Sequence, residues 1–447
     1  MEISTTVAYR IYRIQTYCKA IAFNTSTSQY MFLDGLSAEL LDLIINQPAD
    51  LLEPWLISND LSHDDFLTFK DQLTQFGFWS HAQSCNQTTR TDSTPPQNEE
   101  THKHALNIFQ NFLRENGKYY MFHLDLTNRC NEKCIHCYHP FEQYNYSQEL
   151  TLTEIKNLID TIYDLGVFSV TLSGGECLLR KDFFEILGYI SDKGMLSTIF
   201  TNGLMLTDSV VRKIKNYRVK LVSISIYGDA PEIHDKITTI SGSFKKTLSG
   251  IELLKKHNIP FELKCVVLAE NIAVIENVRA MANQLNGGND CRIDFSLCGK
   301  IDGDCGNFSH RATKDDIRKV FFSNPDRYIV PGKFVPKQPS DSPCGAGKYG
   351  LYCSADGNIY PCVSFRLFLC THKELSKITE NKVLKNWLNT QISHFSDCFK
   401  HDYCKYCTEQ CAGNNLIENG DHLDSHSISN CERAMIISEW FQHHSAD

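Results

Sequence analysis

Short apolar runs alternate with amphipathic stretches through the middle of the chain, from about residue 119 to residue 298. An apolar run bounded by polar residues predicts a buried strand, and apolar positions recurring every three or four residues predict a helix. The predicted strands cover 119–126, 167–172, 196–200, 219–226, 260–268 and 292–297. The predicted helices cover 152–164, 181–192, 207–216, 243–257 and 272–285. Strands and helices that alternate at this spacing predict an α/β fold with a parallel sheet and crossover helices.

The first eighty residues follow a different pattern. Three short strand-like runs at 7–14, 20–24 and 30–33 precede a helix from Ser37, which we expect to be its N-cap, and a second helix from Ser62. This order predicts a small, winged-helix-like α+β module over residues 1–80. Residues 81–102 lack apolar periodicity and predict a linker. A helix near 105–114 then leads into the second domain, 103–298.

Length and composition narrow the class of protein. The 447 residues suffice for two or three domains, and the net charge of −9 gives no reason to expect a nucleic-acid partner. The sequence holds no run of eighteen apolar residues, and its amino terminus lacks the features of a signal peptide. We therefore expect a cytoplasmic protein without a membrane partner. In that compartment the 19 cysteines stay reduced, so clustered cysteines indicate metal binding.

Three of these cysteines follow the first predicted strand of the α/β region, as Cys130-x3-Cys134-x2-Cys137. Three thiolates on one loop can hold an iron–sulfur cluster or zinc. A cluster of four irons that is bound by only three cysteines leaves one iron open for chemistry. The alternative is a structural zinc site with His136 or His139 as the fourth ligand, although structural zinc sites usually recur as paired knuckles.

Together with a second motif, this loop resembles the signature of radical SAM enzymes. The aromatic Tyr138 follows the third cysteine, and Gly174-Gly175-Glu176 stands about forty residues further on, again after a predicted strand. The resemblance implies a partial (β/α)6 barrel, a 4Fe-4S cluster on Cys130, Cys134 and Cys137, and S-adenosylmethionine (SAM) bound at the carboxyl ends of the strands. Paired glycines let the backbone approach a ligand, and the carboxylate can pair with an ammonium group.

Weaker motifs extend the resemblance to two further SAM contacts. Thr201-Asn202-Gly203 matches a Thr-Asn-Gly motif of the family and implies a contact from Asn202, while Ser225 matches a serine that contacts the SAM ribose. Three positions depart from the family pattern. Tyr227 stands where aspartate is usual, Thr238-Thr239 replaces Arg-Gly, and Cys177 replaces the proline after Gly-Gly-Glu.

The two terminal regions resemble modules found on peptide-modifying members of this family. Residues 1–80 resemble a PqqD-like element, which binds the leader of a precursor peptide as an added strand. The alternative is a small structural cap. Beyond a bridging region at 299–343, residues 344–447 resemble a SPASM domain, which holds auxiliary 4Fe-4S clusters. The alternative there is a pair of zinc knuckles.

The SPASM resemblance implies two sets of four thiolate ligands. One set is Cys344, Cys353, Cys362 and Cys411, and the other is Cys398, Cys404, Cys407 and Cys431. We expect most of the other cysteines to be small buried apolar residues, and Cys177 to be the one to examine for a role. This remaining group comprises Cys18, Cys85, Cys177, Cys265, Cys291, Cys298, Cys305 and Cys370.

These resemblances together imply a radical SAM maturase of ribosomally made peptides with three 4Fe-4S clusters and SAM. Its partners are then a precursor peptide and an electron donor such as flavodoxin or ferredoxin.

Two product classes compete: a thioether, which profits from an open iron on an auxiliary cluster, and an aryl carbon–carbon or ether crosslink. Without Cys353, the auxiliary cluster nearer to the SAM site would have only three ligands and an open iron. Because Cys353 fills this position, we favour the aryl crosslink, in the manner of darobactin maturation. Two further classes of protein stay open at this point: a non-catalytic iron–sulfur or zinc-binding peptide carrier, and an enzyme of the sulfatase-maturation type.

Overall fold

The computed structural model describes most of the chain. The described residues are 2–4, 6–14, 17–80, 99–139, 148–288, 290–300, 306–330, 338–395, 398–407, 411–423 and 428–444. Most of the predicted linker, together with Cys85 and Cys305, lies outside these residues. Among the described residues, no helix is both long enough and apolar enough to cross a lipid bilayer.

The amino-terminal unit is an antiparallel sheet of three strands followed by three helices. Its elements are β1 (Glu2–Ile3), β2 (Val7–Ile14), β3 (Tyr17–Asn24), β4 (Gln29–Asp34), α1 (Gly35–Asn46), α2 (Leu52–Ser58), α3 (His63–Gln75) and β5 (Trp79–Ser80). The three strands that the pattern predicted form a sheet with the order β2-β3-β4, and β1 pairs with β5. Ser62 caps α3 in a reciprocal capping box with Asp65. The predicted cap at Ser37 is wrong, because α1 begins two residues earlier, after Asp34.

Six parallel strands form the centre of the molecule, which confirms the predicted α/β fold. After α4 (Glu99–Glu115), the strands are β6 (Met121–Asp125), β7 (Ser169–Ser173), β8 (Leu196–Thr201), β9 (Val219–Ser225), β10 (Phe261–Val266) and β11 (Arg292–Asp294). The helices between them are α5 (Leu152–Asp164), α6 (Phe183–Asp192), α7 (Asp208–Ile214), α8 (Pro231–Thr238), α9 (Ser243–Lys256) and α10 (Ile275–Leu285). Each strand pairs with the next one along the chain, as in a partial barrel.

The carboxyl-terminal region adds three strands to the open edge of β6. Its elements are α11 (Lys314–Ser323), α12 (Pro325–Tyr328), β12 (Gly350–Cys353), β13 (Asn358–Tyr360), β14 (Cys370–Thr371), α13 (Lys382–Leu388), α14 (Ala412–Asn419) and α15 (Ile428–His444). β12 runs parallel to β6, and β13 and β14 continue the sheet antiparallel. The sequence pattern did not predict this continuation of the sheet.

Alternation along the strands separates an apolar outer face from a polar inner face. On β6, Phe122 and Leu124 belong to the main core, whereas His123 and Asp125 take the alternate positions. On β12, Leu351 and Cys353 belong to the same core, and Tyr352 takes the alternate position beside His123. Charged and hydroxyl side chains therefore line the inside of the partial barrel.

The amino-terminal unit covers the amino ends of the barrel strands, opposite the cysteine loop. The Tyr12 hydroxyl donates to the Gly166 carbonyl at 2.8 Å, and Arg218 Nε donates to the Val7 carbonyl at 2.6 Å. Helix α4 lies in the same interface. A separate apolar cluster there comprises Ala8, Tyr12, Ile21, Phe23, Phe109, Leu113, Tyr120, Phe168 and Leu196.

Leu113 and Ile108 on α4 give a matched test of this interface. Leu113 is fully buried, whereas Ile108 is 54% exposed. We expect Leu113→Ala to lower the free energy of unfolding by about 2–5 kcal/mol, because it removes buried methyl groups and leaves a cavity. Ile108→Ala should cost less than about 0.5 kcal/mol. Anaerobic urea denaturation of both variants measures the difference, and equal effects would contradict the packing of α4.

Candidate functional site

The predicted cluster loop follows β6 at the carboxyl end of the sheet, and its three thiols converge. Burial raises the pKa of the Cys134 thiol well above its usual range, and the Glu132 carboxylate and the thiols of Cys137 and Cys130 raise it further. Burial also raises the pKa of Cys130 to about 12 and that of Cys137 to about 11. A metal centre bound by the three thiols would balance the charge of their thiolate forms.

The end of α8 holds the middle of this loop. The backbone N–H groups of Lys133 and Ile135 donate to the carbonyls of Thr238 and Ile237 at 3.2 and 3.0 Å. Thr239 Oγ1 donates in turn to the Lys133 carbonyl at 3.2 Å. The Thr-Thr pair that departs from the family pattern therefore supports the cluster loop.

The Gly174-Gly175 turn packs against the beginning of the cluster loop. A Cβ at Gly174 would lie 2.2 Å from the Thr127 carbonyl oxygen, and one at Gly175 would lie 2.4 Å from that of Arg129. The N–H groups of Gly175 and Glu176 donate to these two carbonyls, each at 2.8 Å. The glycines thus permit contact between two backbone segments, whereas the sequence had suggested close approach to a ligand.

Glu176 joins the ends of neighbouring strands. Its Oε2 accepts hydrogen bonds from Thr201 Oγ1 at 2.9 Å and from the Asn202 N–H at 2.8 Å, and Oε1 accepts from the Leu178 N–H at 3.0 Å. Burial raises the pKa of this carboxyl above its usual value. The Asn202 side chain reaches the cluster loop, where Nδ2 donates to Asn131 Oδ1 at 2.7 Å. Glu176 and Asn202 therefore stand together beside the three thiols.

The structure places the other two predicted SAM contacts around the same loop. Ser225 ends β9, and its side chain is a neighbour of the Tyr227 hydroxyl. The Tyr138 ring lies 4.4 Å from the ring of His139, measured between ring centroids, and burial raises the pKa of the Tyr138 hydroxyl well above its usual value. All the residues predicted from the radical SAM resemblance thus lie at the carboxyl ends of the strands or on the loops that follow them.

The two histidines of the zinc alternative are engaged elsewhere. The His136 ring packs edge-on against Tyr227 at 4.6 Å, and burial lowers its pKa to about 4. His139 Nε2 lies 3.8 Å from Asp125 Oδ2. Within the described ranges, no three His, Cys, Asp or Glu side chains are arranged to hold a single metal ion. The donor set of three thiols on one loop fits an iron–sulfur cluster, which thiolates hold.

A buried polar network that the sequence motifs did not predict lies inside the barrel below the loop. Asp125 accepts a hydrogen bond from the Tyr352 hydroxyl at 2.6 Å, and His123 Nε2 lies 3.3 Å from its other oxygen. Burial alone would raise the pKa of Asp125, but its interactions with His123, His139 and Tyr352 hold it below its usual value. The Arg366 guanidinium lies over the Tyr352 ring, 4.4 Å from its centroid.

Lys264 provides a second charged group on the inner face. Its ammonium lies 3.3 Å from the centroid of the Phe200 ring and 3.2 Å from Glu262 Oε1. Burial lowers its pKa to about 8. Lys264 pairs in register with Ser225, at the end where SAM is expected. The period-two pattern of polar residues, His123/Asp125 and Glu262/Lys264, was the available signal for these inner positions.

The carboxyl-terminal cysteines form two groups. Burial raises the pKa of Cys431 to about 12, and the thiols of Cys407, Cys404 and Cys398 raise it further, so the structure brings together the four members of this predicted set. In the other group, burial raises the pKa of Cys411 to about 12, and its thiol neighbours are those of Cys362, Cys298 and Cys344. Cys298 was not predicted to be a ligand.

Cys353 lies apart from the group to which it was assigned. Its side chain is fully buried in the main core, and its Sγ donates to the Ser354 carbonyl at 3.4 Å. Burial raises its pKa well above the usual value, and its charged or thiol neighbours are Asp125, Asp356 and Cys370. Cys265 and Cys291 are also buried in the main core, as expected for small apolar residues. Cys177, which was singled out for a possible role, is buried in the same core.

Comparison with known proteins identifies one domain. Residues 124–282 match the model of the Radical SAM superfamily. The AdoMet-dependent heme synthase of Methanosarcina barkeri is 37% identical over 161 residues, which are 36% of this chain and 46% of that protein. The chain therefore spans less than half the length of this relative.

Two other proteins match over more of the chain. The antilisterial bacteriocin subtilosin biosynthesis protein AlbA of Bacillus subtilis is 26% identical over 293 residues, 63% of this chain and 64% of that protein. Streptococcus suis SuiB bound to S-adenosylmethionine has a similar fold, with a TM-score of 0.59 and 14% identity over 96% of this chain and 100% of that structure. SuiB is also known bound to the precursor peptide SuiA.

Proposed function

Because residues 124–282 match the model of the Radical SAM superfamily, we propose that this chain is a peptide maturase that cleaves SAM and crosslinks a ribosomally made precursor. The observation that carries this proposal is the convergence of three thiols on a loop held by the glycine turn and flanked by Glu176 and Asn202. A 4Fe-4S cluster on Cys130, Cys134 and Cys137 would supply the electron that cleaves SAM to methionine and a 5′-deoxyadenosyl radical.

The residues around the loop have separate roles in this proposal. Glu176, Asn202, Ser225 and Tyr138 bind SAM, with Glu176 holding the strand ends in place through its three hydrogen bonds. The reacting part of the peptide enters the inside of the barrel, where His123, Asp125 and Lys264 provide polar and charged groups.

A peptide substrate is supported by how far the likenesses extend. The likeness to the heme synthase covers only 36% of the chain. The likeness to AlbA covers 63% of the chain, and the likeness to the fold of SuiB covers 96%. The fold likeness to SuiB therefore extends over both the amino-terminal unit and the carboxyl-terminal region. The alternative, a non-catalytic iron–sulfur protein that only carries a peptide, would have no use for Glu176 and Asn202 as SAM contacts beside the cluster loop.

The two carboxyl-terminal thiol groups, in a SPASM-like region, would hold two auxiliary 4Fe-4S clusters in this proposal. Four thiolates saturate a cluster, so neither cluster offers an iron to a substrate sulfur. The clusters then serve to carry an electron, with flavodoxin or ferredoxin as external donor. We therefore favour a crosslink from an aromatic side chain, through carbon or oxygen, over a thioether.

The amino-terminal unit would bind the leader of the precursor, as a PqqD-like element does. Strand β4 pairs with β3 on one side and, within the described part of the chain, with no strand on the other. Its side chains are mostly half-buried, so its unpaired edge is the part that remains for a partner strand. A peptide bound there adds a fourth strand to the sheet.

The cluster loop can be tested by replacing its three cysteines with alanine. The reconstituted native protein should contain about 12 irons per chain, and the triple variant about 8, because it keeps both auxiliary clusters. The triple variant should form no 5′-deoxyadenosine from SAM under dithionite. Iron analysis and chromatography of the reaction measure both quantities. Formation of 5′-deoxyadenosine by the triple variant would show that the active cluster lies elsewhere.

Leader binding can be tested by hydrogen exchange on the full chain. With a precursor peptide that carries its leader, we expect slower exchange of the amides in 29–34. A peptide with a scrambled leader should leave these amides unchanged. Mass spectrometry of proteolytic fragments locates the effect. Protection that is confined to other segments would reduce the amino-terminal unit to a structural cap.

A further inference from the structure

We propose that Cys298 supplies the fourth thiolate of the first auxiliary cluster, together with Cys344, Cys362 and Cys411. This inference rests on the proposed function only in that the carboxyl-terminal region holds iron–sulfur clusters. It assigns a ligand that lies outside the cysteine-rich region, 46 positions before Cys344 in the sequence. The barrel domain and the carboxyl-terminal region would then share one cluster.

The position of Cys298 is held from two sides. Asn307 Nδ2 donates to the Cys298 carbonyl at 2.8 Å and to the His136 carbonyl at 3.2 Å, so one buried amide ties Cys298 to the first cluster loop. The Cys298 sulfur lies 2.9 Å from the Ser364 hydroxyl oxygen. Cys298 follows β11 and therefore comes from the barrel, whereas Ser364 belongs to the segment that carries Cys362.

Ser364 connects Cys298 to the three other thiols. Ser364 lines a cavity of about 650 Å³ together with Cys344, Cys362 and Cys411. The turn after Cys411 is packed tightly against Ser364, since a Cβ at Gly413 would lie 2.1 Å from the Ser364 carbonyl oxygen. The hydroxyl that contacts Cys298 thus lies at the meeting point of the segments that carry the other thiols.

The electrostatic relations between the thiols agree with this arrangement. The Cys362 thiol has the thiols of Cys344 and Cys298 as neighbours. The Cys411 thiol has the same two thiols and that of Cys362 as neighbours. The Ser364 hydroxyl and the Arg366 guanidinium lie beside the Cys298 thiol. On ligation each thiol gives up its proton, and the iron atoms balance the resulting charge.

The geometry of β12 explains why Cys353 does not take this position. β12 pairs with β6 so that Cys353 stands opposite Leu124 and Tyr352 stands opposite His123. Successive side chains of a strand point to opposite faces. Cys353 therefore joins Leu124 in the apolar core, while Tyr352 reaches Asp125 on the polar side.

A fourth thiolate from Cys298 decides what the first auxiliary cluster can do. With only Cys344, Cys362 and Cys411 as ligands, one iron would be open to a cysteine of the substrate. With Cys298 the cluster is saturated, so the peptide cannot be anchored through sulfur without the loss of a ligand. The preference for an aromatic crosslink then depends on Cys298 and no longer on Cys353.

The assignment can be tested in the variant that lacks Cys130, Cys134 and Cys137, where only auxiliary clusters contribute to the spectra. Cys298→Ala in this background should either lower the iron content by about four per chain or give a three-iron EPR signal after mild oxidation. Cys353→Ala should leave both the iron content and the spectrum unchanged. Unchanged iron and spectrum in Cys298→Ala would overturn the proposal.

Cys298→Ser separates ligation from a purely structural role. A serine oxygen can take the place of the sulfur, so Mössbauer spectra of the ⁵⁷Fe-loaded variant should show one iron site altered by oxygen ligation. An unaltered all-thiolate spectrum in Cys298→Ser would overturn the assignment, even if the alanine variants lose iron by misfolding. Failure of the native protein to cleave SAM would contradict the proposed function alone, because these spectra do not depend on turnover.

Discussion

The contact between the Gly174-Gly175 turn and the beginning of the cluster loop is the constraint on which the candidate site depends. The two segments approach so closely that a Cβ at either glycine would lie within 2.4 Å of a loop carbonyl oxygen. This contact places Glu176 next to the end of β8, where its carboxylate takes hydrogen bonds from Thr201 and Asn202. Asn202 then reaches back to the loop, so three strand ends hold the thiols together.

The pairing of β12 with β6 has a comparable effect on the carboxyl-terminal region. It brings Tyr352 beside His123 and Asp125 on the inner face, and Arg366 over the Tyr352 ring. The same pairing directs Cys353 into the apolar core. A charged network therefore lies between the first cluster loop and the thiol group of Cys298, Cys344, Cys362 and Cys411. The amino-terminal unit lies at the opposite end of the barrel strands, so a bound leader and the reacting segment would occupy different ends of the barrel.

Motifs in the sequence were enough to predict the cluster loop, the glycine turn and the alternating barrel, because these depend on local spacing and periodicity. The pairing of β12 with β6 joins segments more than two hundred residues apart, and no local pattern specifies it. For this reason the sequence suggested Cys353 as a ligand and left Cys298 among the buried cysteines. The inner residues His123, Asp125 and Lys264 could have been found from the alternation within their strands, but their contacts depend on the closed sheet.

The most direct test of the central claim is tandem mass spectrometry of the precursor peptide after reaction with the reconstituted protein, SAM and a reductant. We expect a product lighter by two hydrogen atoms per crosslink, with fragment ions that locate the new bond between an aromatic side chain and a neighbouring residue. A precursor without cysteine should react equally well. A bond through a cysteine sulfur, or a peptide that stays unmodified while SAM is cleaved, would contradict the account.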